Sequence, residues 1–363
     1  MHPELSGHES HTHDFLLKQL NQLSPDKIVK NLGGNGLAAI FNNQNYDKTI
    51  MFRCDIDALP IAEKNTVEYK SKNPGTAHLC GHDGHSTILL GFAEQVNEIR
   101  NNLKNRIVLL FQPAEETAQG AKAILQDKRF AEIEPDFIFG LHNLPGFERH
   151  SVILRENIFA SASVGMIFRF TGATSHAAHP ENGKNPALAI AQMIQSLYAI
   201  PQQFTAFNNA NLITIIQAKV GERAFGTSAG EGLVAATFRS HTNQDLEKMK
   251  EQARKTAANL AVIFDLKLVV EDVEEFSATK NHPKAFQYLE KAVQKSGLGT
   301  KRVANPFPWS EDFGFYTEKY KGCFFGLGSG KEHPQLHNHD YDFPDELIPT
   351  GIKIFATLLD NLE

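Results

Sequence analysis

A chain of 363 residues, 41% hydrophobic and 21% charged, is long enough to bury a large core and to divide into two domains. Its 42 acidic against 36 basic residues give a formal charge of -6, and no basic stripe appears, which argues against nucleic-acid binding. No apolar run reaches membrane-spanning length, residues 1–4 carry no signal-peptide core, and three cysteines are too few for a disulfide framework, so no membrane partner and a cytoplasmic location are expected.

Phe15, Leu16, Leu20 and Leu23 recur at helical spacing and predict an amphipathic helix over residues 10–23. Gly33, Gly34 and Gly36 mark a turn that lacks the lysine and hydroxyl residue of a phosphate loop. Residues 37–41 and 49–54 read as adjacent strands around a turn at 43–47. The second runs into Asp55 and Asp57, and open α/β sheets place their chemistry just beyond such strand ends. The stretch 76–85 then packs Cys80 with His78, His82 and His85 around two glycines. Cys80 and His82 lie two apart, a spacing that can aim both at one point, and thiolate and neutral imidazole are metal ligands. A helix over 86–96, beginning near Gly84, holds His85 in its first turn, where it reads as a helix-start residue and not a ligand.

Residues 106–111 form a near-continuous apolar run, the pattern of a strand covered on both faces, and lead into Glu115 and Glu116. A helix over 120–125 and a buried strand over 137–141 follow, the latter ending in His142. Three successive strands thus bring Asp55/Asp57, Glu115/Glu116 and His142 to their carboxyl ends.

Beyond residue 160 the composition changes. A strand at 164–171, a loop at 172–183 with His176 and His179, a helix at 185–198 with Pro186 in its first turn, strands at 212–218 and 233–240, a helix at 245–260 and a strand at 265–270 give a β-α-β-β-α-β order. That order predicts a ferredoxin-like α+β domain. A helix at 283–296, a strand at 322–327 and a polar run at 328–345 return to the first pattern. The ligand inventory, incomplete at His142, is completed only by the histidines at 333, 337 and 339, so the middle domain reads as an insertion.

A Cys, a Glu and several His converging at strand ends suggest two divalent metals. Adjacent glutamates add a division of labour: one binds metal, and its neighbour takes a proton from water that the metal acidifies. A single structural zinc needs no spare glutamate. The nucleic-acid deaminases also surround zinc with His, Glu and Cys, but their Pro-Cys-x-x-Cys segment is absent, as is a Gly-x-Ser-x-Gly elbow. Thiolate favours zinc, whereas carboxylate and imidazole also accept manganese, cobalt or nickel.

These motifs resemble the aminoacylase/carboxypeptidase clan of co-catalytic metallohydrolases, in the branch of hippurate hydrolases, N-acyl-amino-acid amidohydrolases and auxin-conjugate hydrolases. The resemblance runs nearly end to end, through residues 2–9, Arg53-Cys54-Asp55-Ile56-Asp57-Ala58-Leu59-Pro60, His78-Leu79-Cys80-Gly81-His82-Asp83-Gly84-His85, Phe111-Gln112-Pro113-Ala114-Glu115-Glu116, residues 140–143 and 175–180, Ser310-Glu311-Asp312-Phe313, Leu336-His337 and residues 341–343. It implies an α/β fold: a mixed-sheet catalytic domain of zinc-aminopeptidase-like type (residues 1–162 and 273–363) with an inserted ferredoxin-like α+β lid and dimerisation domain (163–272). Cys80, His82, Glu116, His142 and His337 would hold two divalent ions, Glu115 would be the general base, and Asp57 would orient a ligand from behind. His176, in the lid of a homodimer, would steady the developing oxyanion. The substrate implied is a small N-acyl amino acid, hippurate-like or N-acetylated. A small-peptide carboxypeptidase, an N-acyl-diaminopimelate deacylase and a non-catalytic, metal-dependent homodimeric binding protein are the alternatives. His339 departs from the pattern, standing where a proline is common.

Overall fold

The computed structural model describes residues 1–362 except Asn43 and Asn45, so those two positions of the expected 43–47 turn lie outside the described residues. The chain divides into two compact units. One comprises Met1–Phe159, Thr279–Pro306 and the chain from Glu311 onward; the other comprises Ala160–Ala278 and Phe307–Ser310.

The first unit opens with α1 (Ser10–Gln22), β1 (Lys27–Leu32), β2 (Gly36–Phe41) and β3 (Thr49–Asp55), continues through α2 (His82–Glu98), β4 (Arg106–Gln112), α3 (Gly120–Gln126) and β5 (Phe137–Pro145), and reaches the short strands β6 (Val152–Leu154) and β7 (Ile158–Ala160). The second unit runs β8 (Ala162–Thr171), β9 (Ser175–His176), α4 (Ala187–Phe204), β10 (Asn211–Val220), β11 (Thr227–Ser228), β12 (Glu231–Ser240), α5 (Asn243–Ile263) and β13 (Lys267–Phe276). The chain then returns through β14 (Thr279–Lys280), α6 (Pro283–Ser296), β15 (Thr300–Arg302), α7 (Gly314–Lys319), β16 (Lys321–Gly330) and α8 (Ile348–Leu362).

The first unit is built on an eight-stranded mixed sheet in the order β1-β2-β4-β3-β5-β16-β6-β15. Strands β4, β3, β5 and β16 run parallel, and all but their end residues are buried, which explains the apolar runs within them. β2 and β3 follow one another in the chain but are not neighbours in the sheet. β4 lies between them, antiparallel to β2 and parallel to β3. The expected adjacent pair is thus corrected by a strand more than fifty residues further on. Helices α1, α2, α6 and α8 share one apolar core with the sheet. Phe52 of β3 packs edge-on against Phe92 of α2 at 4.7 Å and Phe355 of α8 at 5.0 Å between ring centroids. The helix expected to begin near Gly84 starts two residues earlier, at His82.

In the second unit β8, β10, β12 and β13 form an antiparallel sheet in the order β10-β12-β8-β13, the ferredoxin-like arrangement. Helix α5 starts where Thr242 Oγ1 accepts from the Asp245 amide at 3.1 Å, an ordinary threonine cap.

Candidate metal centre

Local backbone geometry aims the candidate ligands. Gly81 (φ +89°) turns the chain between Cys80 and the first residue of α2, His82. A Cβ at Gly81 would lie 2.5 Å from Asn143 Oδ1, so only glycine fits there. His82 Nδ1 hydrogen-bonds the Asp57 carbonyl at 3.0 Å and Asp57 Oδ1 at 3.2 Å, which turns Nε2 toward the other candidate ligands. His142 does the same with its neighbour's carbonyl, Nδ1 donating to Asn143 O at 2.8 Å, so Nε2 faces Cys80 Sγ at 3.4 Å. After β4 the chain turns at Ala114, whose φ of +52° is uncommon for a residue with a side chain, and delivers Glu115 and Glu116. His337 has a φ of +68°, is tied down by its amide to Leu79 O at 2.8 Å, and places Nε2 3.3 Å from Cys80 Sγ.

Ligand atoms of Cys80, His82 and His142 lie within 4.8 Å of one another, as do those of Cys80, Glu116 and His337, and those of His82, Glu115 and Glu116. Cys80, His82 and Glu116 each belong to two of these groups, so the six residues form one continuous set of overlapping clusters with donors enough for two divalent ions. Glu116 Oε1 lies 3.8 Å from His82 Nε2 and 3.7 Å from His337 Nε2. Both His82 Nε2 and Glu116 Oε1 are buried without a hydrogen-bond partner, an arrangement that costs about 1–3 kcal/mol per group unless something satisfies it. A divalent cation fits this donor set.

The electrostatics agree. Burial, then Glu116, Glu115 and Asp55, push the Cys80 thiol well up. Burial likewise lifts Glu116 to about 7 and Glu115 well above the carboxylate range. His82 rises to about 10: burial opposes its charged form, but Asp55 and Asp57 outweigh it. Burial lowers both His142 and His337, which keeps them neutral. Negative groups thus crowd one spot, and a bound cation relieves them all at once.

Behind these residues lies a layer that sequence reasoning reached only in part. Asp57 touches two of them, accepting from His82 and, through Oδ2, from the Glu116 amide at 3.0 Å, and Ser6 Oγ donates to that same oxygen at 2.7 Å. His85, read as a helix-start residue, is buried and tied up: Nδ1 meets Asp55 Oδ1 at 2.6 Å, and Nε2 meets Asn143. Glu9, which drew no functional reading, is fully buried and accepts the Ala114 amide at 2.9 Å, holding the strained turn before Glu115. Arg53 pairs with Asp55 at 2.8 Å, Glu311 at 3.1 Å and Asp312 at 2.6 Å, and all four are buried. Quoted motifs contained each of these, but no spacing rule marks a buried hydrogen-bond partner.

Other candidates fall elsewhere. His333 Nε2 meets the Asp342 carbonyl and His339 Nδ1 the Ala62 carbonyl, both at 2.7 Å, and the exposed His179 lies 3.4 Å from Glu181. Cys54 and Cys323 are buried free thiols. His176 belongs to the second unit and to none of the ligand groups. It is exposed on β9, pairs with Thr227 of β11, and accepts the Ala178 amide at Nδ1 (3.1 Å), which puts its proton on Nε2.

Comparison with known proteins places this geometry. The profile of peptidase family M20/M25/M40 matches residues 51–361. An uncharacterized hydrolase of Staphylococcus haemolyticus is 30% identical over 365 residues, covering 99% of this chain and 94% of the relative. The crystal structure of the Bacillus subtilis YXEP protein, a dinuclear metal binding peptidase of the M20 family, superposes with a TM-score of 0.82 at 24% identity, covering 99% of this chain and 93% of that one. An aminobenzoyl-glutamate utilization protein from Klebsiella pneumoniae gives a TM-score of 0.74 at 20% identity, covering 99% and 92%. With its α/β unit, its smaller α+β unit and its clusters for two divalent ions, the chain belongs to peptidase family M20/M25/M40 and is a metal-dependent hydrolase.

Proposed function

We propose that the enzyme hydrolyses the amide joining an acyl group to an amino acid, with N-acetyl and N-benzoyl (hippurate-like) amino acids as the substrate class. One observation carries the reading: adjacent glutamates face different partners. Glu116 Oε1 lies between His82 and His337, while Glu115 Oε1 accepts the Asp312 amide at 3.2 Å. Cys80, His82, Glu116, His142 and His337 would hold two divalent ions, and the chemistry such ions would supply is acidification of water and polarisation of the scissile carbonyl. Glu115, buried and surrounded by carboxylates, takes a proton from the attacking water on its carboxylate and passes it to the leaving nitrogen. Asp57 keeps His82 in the tautomer that presents Nε2. His176, with its proton on Nε2, serves as donor to the developing oxyanion and acts on the partner's site in a homodimer. The exposed edge strand β10, with Leu212 55% and Ile216 65% accessible, supports pairing through the second unit.

The substrate class rests on the motif resemblance and agrees with a structural relative named for aminobenzoyl-glutamate, itself an acyl amino acid. A hydrolysis screen of metal-reconstituted protein on N-acetyl amino acids, N-benzoyl amino acids, N-acyl-diaminopimelate and dipeptides tests it. Turnover highest on the first two is expected. Dipeptide hydrolysis with inert N-acyl amino acids overturns the substrate class, and no turnover on any arm, with metals bound, points to the binding protein instead.

A further inference from the structure

We infer that Asp312, held by Arg53 and Gln112, is a positioning residue for Glu115; this rests on the reading of Glu115 as the base. The contact that matters is made by the backbone. The Asp312 amide donates to Glu115 Oε1 at 3.2 Å. Where that N–H points depends on how the Asp312 backbone is pinned, and its own side chain does the pinning. Asp312 Oδ1 accepts from Arg53 Nη2 at 2.6 Å and Gln112 Nε2 at 2.9 Å, and Oδ2 accepts from Gln112 Nε2 at 2.8 Å and the Ala121 amide at 2.9 Å. Those donors come from β3, β4 and α3, so a segment that precedes α7 is fixed against residues 259, 200 and 191 positions earlier in the chain.

The anchors are themselves held. Gln112 Oε1 accepts from Arg53 Nε at 2.9 Å and from the Tyr316 hydroxyl at 3.1 Å. Arg53, Gln112, Asp312 and Tyr316 are each at most 1% exposed. A closed, buried network of this kind sets geometry more sharply than an exposed one, because low dielectric strengthens each bond and no water replaces a lost partner. Charge balance alone does not explain it, since Arg53 already pairs with Asp55 and Glu311. With Oε1 engaged by the amide, Oε2 of Glu115 is the oxygen left to take the proton. Loosening the Asp312 backbone lets that carboxylate rotate, and misplacement by about 1 Å can cost about 100-fold in rate.

The experiment compares Asp312→Ala, Asp312→Asn, Gln112→Leu, Glu115→Gln and the double variant Glu115→Gln/Asp312→Ala as metal-loaded full chains, with Glu115→Ala and Gln112→Leu also taken metal-free. Asp312→Ala should lower kcat by about 10–100-fold while KM moves by less than about threefold and metal content by elemental analysis stays at the wild-type value. Asp312→Asn, which keeps an acceptor for Arg53, should fall between. In the Glu115→Gln background Asp312→Ala should have no further effect, because the group it positions is already disabled. A second readout needs no turnover: in metal-free protein, deuterium exchange at the Asp312 amide should accelerate in Glu115→Ala and in Gln112→Leu. If Asp312→Ala fails to fold, Asp312→Asn and Gln112→Leu carry the same comparison. Wild-type kcat in the folded variants, the same fold-loss with or without Glu115, or unchanged exchange in both metal-free variants overturns the inference. A fully active Glu115→Gln would instead sink the base assignment, so the two failures are distinguishable.

Discussion

Replacing Asp57 with alanine should weaken metal retention by about 10–100-fold, the usual cost of removing a group that orients a ligand. Three contacts disappear: His82 Nδ1 at 3.2 Å, the Glu116 amide at 3.0 Å and the Ser6 hydroxyl at 2.7 Å. His82 keeps the Asp57 carbonyl at 3.0 Å, so its tautomer survives and only part of the restraint on the ring is lost. The Glu116 amide has no such reserve. A hydrogen bond to a charged group contributes about 1.5–3 kcal/mol, and losing one at the ligands, at about 1.4 kcal/mol per decade, corresponds to about one to two decades of affinity. Asp57→Asn should lose less, because Oδ1 can still accept from His82 while the amide nitrogen cannot accept from Glu116. Competition with a fluorescent chelator at fixed pH gives the affinities, and circular dichroism checks the fold. Folded variants that both retain metal like wild type would refute the reasoning, as would an asparagine variant weaker than the alanine one.

Metal-reconstituted, desalted protein should carry close to two divalent ions per chain by elemental analysis, with Cys80→Ala and His142→Ala each retaining less; a count that never exceeds one removes the two-ion reading. His176→Ala should leave fold and metal content intact and lower kcat by about 100–1,000-fold with little change in KM. Mixed dimers of inactive His176→Ala and inactive Glu115→Gln chains should regain activity, and verified heterodimers that stay dead exclude action on the partner's site. Asp245 near the start of α5 has a lowered pKa: burial opposes its charge, but bonds from Asn209 at 2.7 Å and Lys248 at 3.0 Å prevail. A depressed folded pKa stabilises above the unfolded value of about 3.9 and is lost as pH falls through the lower folded one, so Asp245→Asn should cost about 1 kcal/mol at pH 7 and less at pH 3 in chemical denaturation. A gap that is constant with pH contradicts that assignment.

How much was legible follows from how narrowly chemistry restricts each role. Few residue types bind divalent ions, and apolar runs mark buried strands, so Cys80, His82, the Glu115/Glu116 pair and His142 could be picked out near predicted elements, while the assignment of the two roles between the glutamates came from the resemblance. The structure brings their ligand atoms together with those of His337, which lies in a polar run without periodicity and stood out only as part of a motif. The sheet order was not legible. Nothing in residues 37–54 says that β4 inserts between β2 and β3, because the partner of a strand is chosen by packing over long separations and not by local pattern. Helix α8 was missed for a related reason: no functional motif reaches residues 348–362, although Ile354, Phe355, Leu358, Leu359 and Leu362 are buried at helical spacing.

The same contrast explains why the groups behind the site stayed hidden. A ligand must be a thiolate, an imidazole or a carboxylate, but a positioning group need only be buried, polar and in reach. Arg53 lies two residues before Asp55, in a strand whose apolar run suggests no charge, and its other partners, Glu311 and Asp312, come from the segment before α7, which no pattern near residue 53 points to. Burying that charge is costly, and replacing such a network with well-packed apolar residues is often neutral or stabilising, so stability alone does not account for it. Glu9 makes the parallel case at the opposite end of the chain. It is fully buried and spends one oxygen on the amides of Gly7 and Ala114 and the other on Asn35, which ties the amino-terminal segment to the turn that carries Glu115. Two buried acids from distant parts of the sequence thus converge on one glutamate, Glu9 through the Ala114 amide and Asp312 through its own amide on Glu115 Oε1. Their convergence is what the proposed role of Glu115 as the proton acceptor would require.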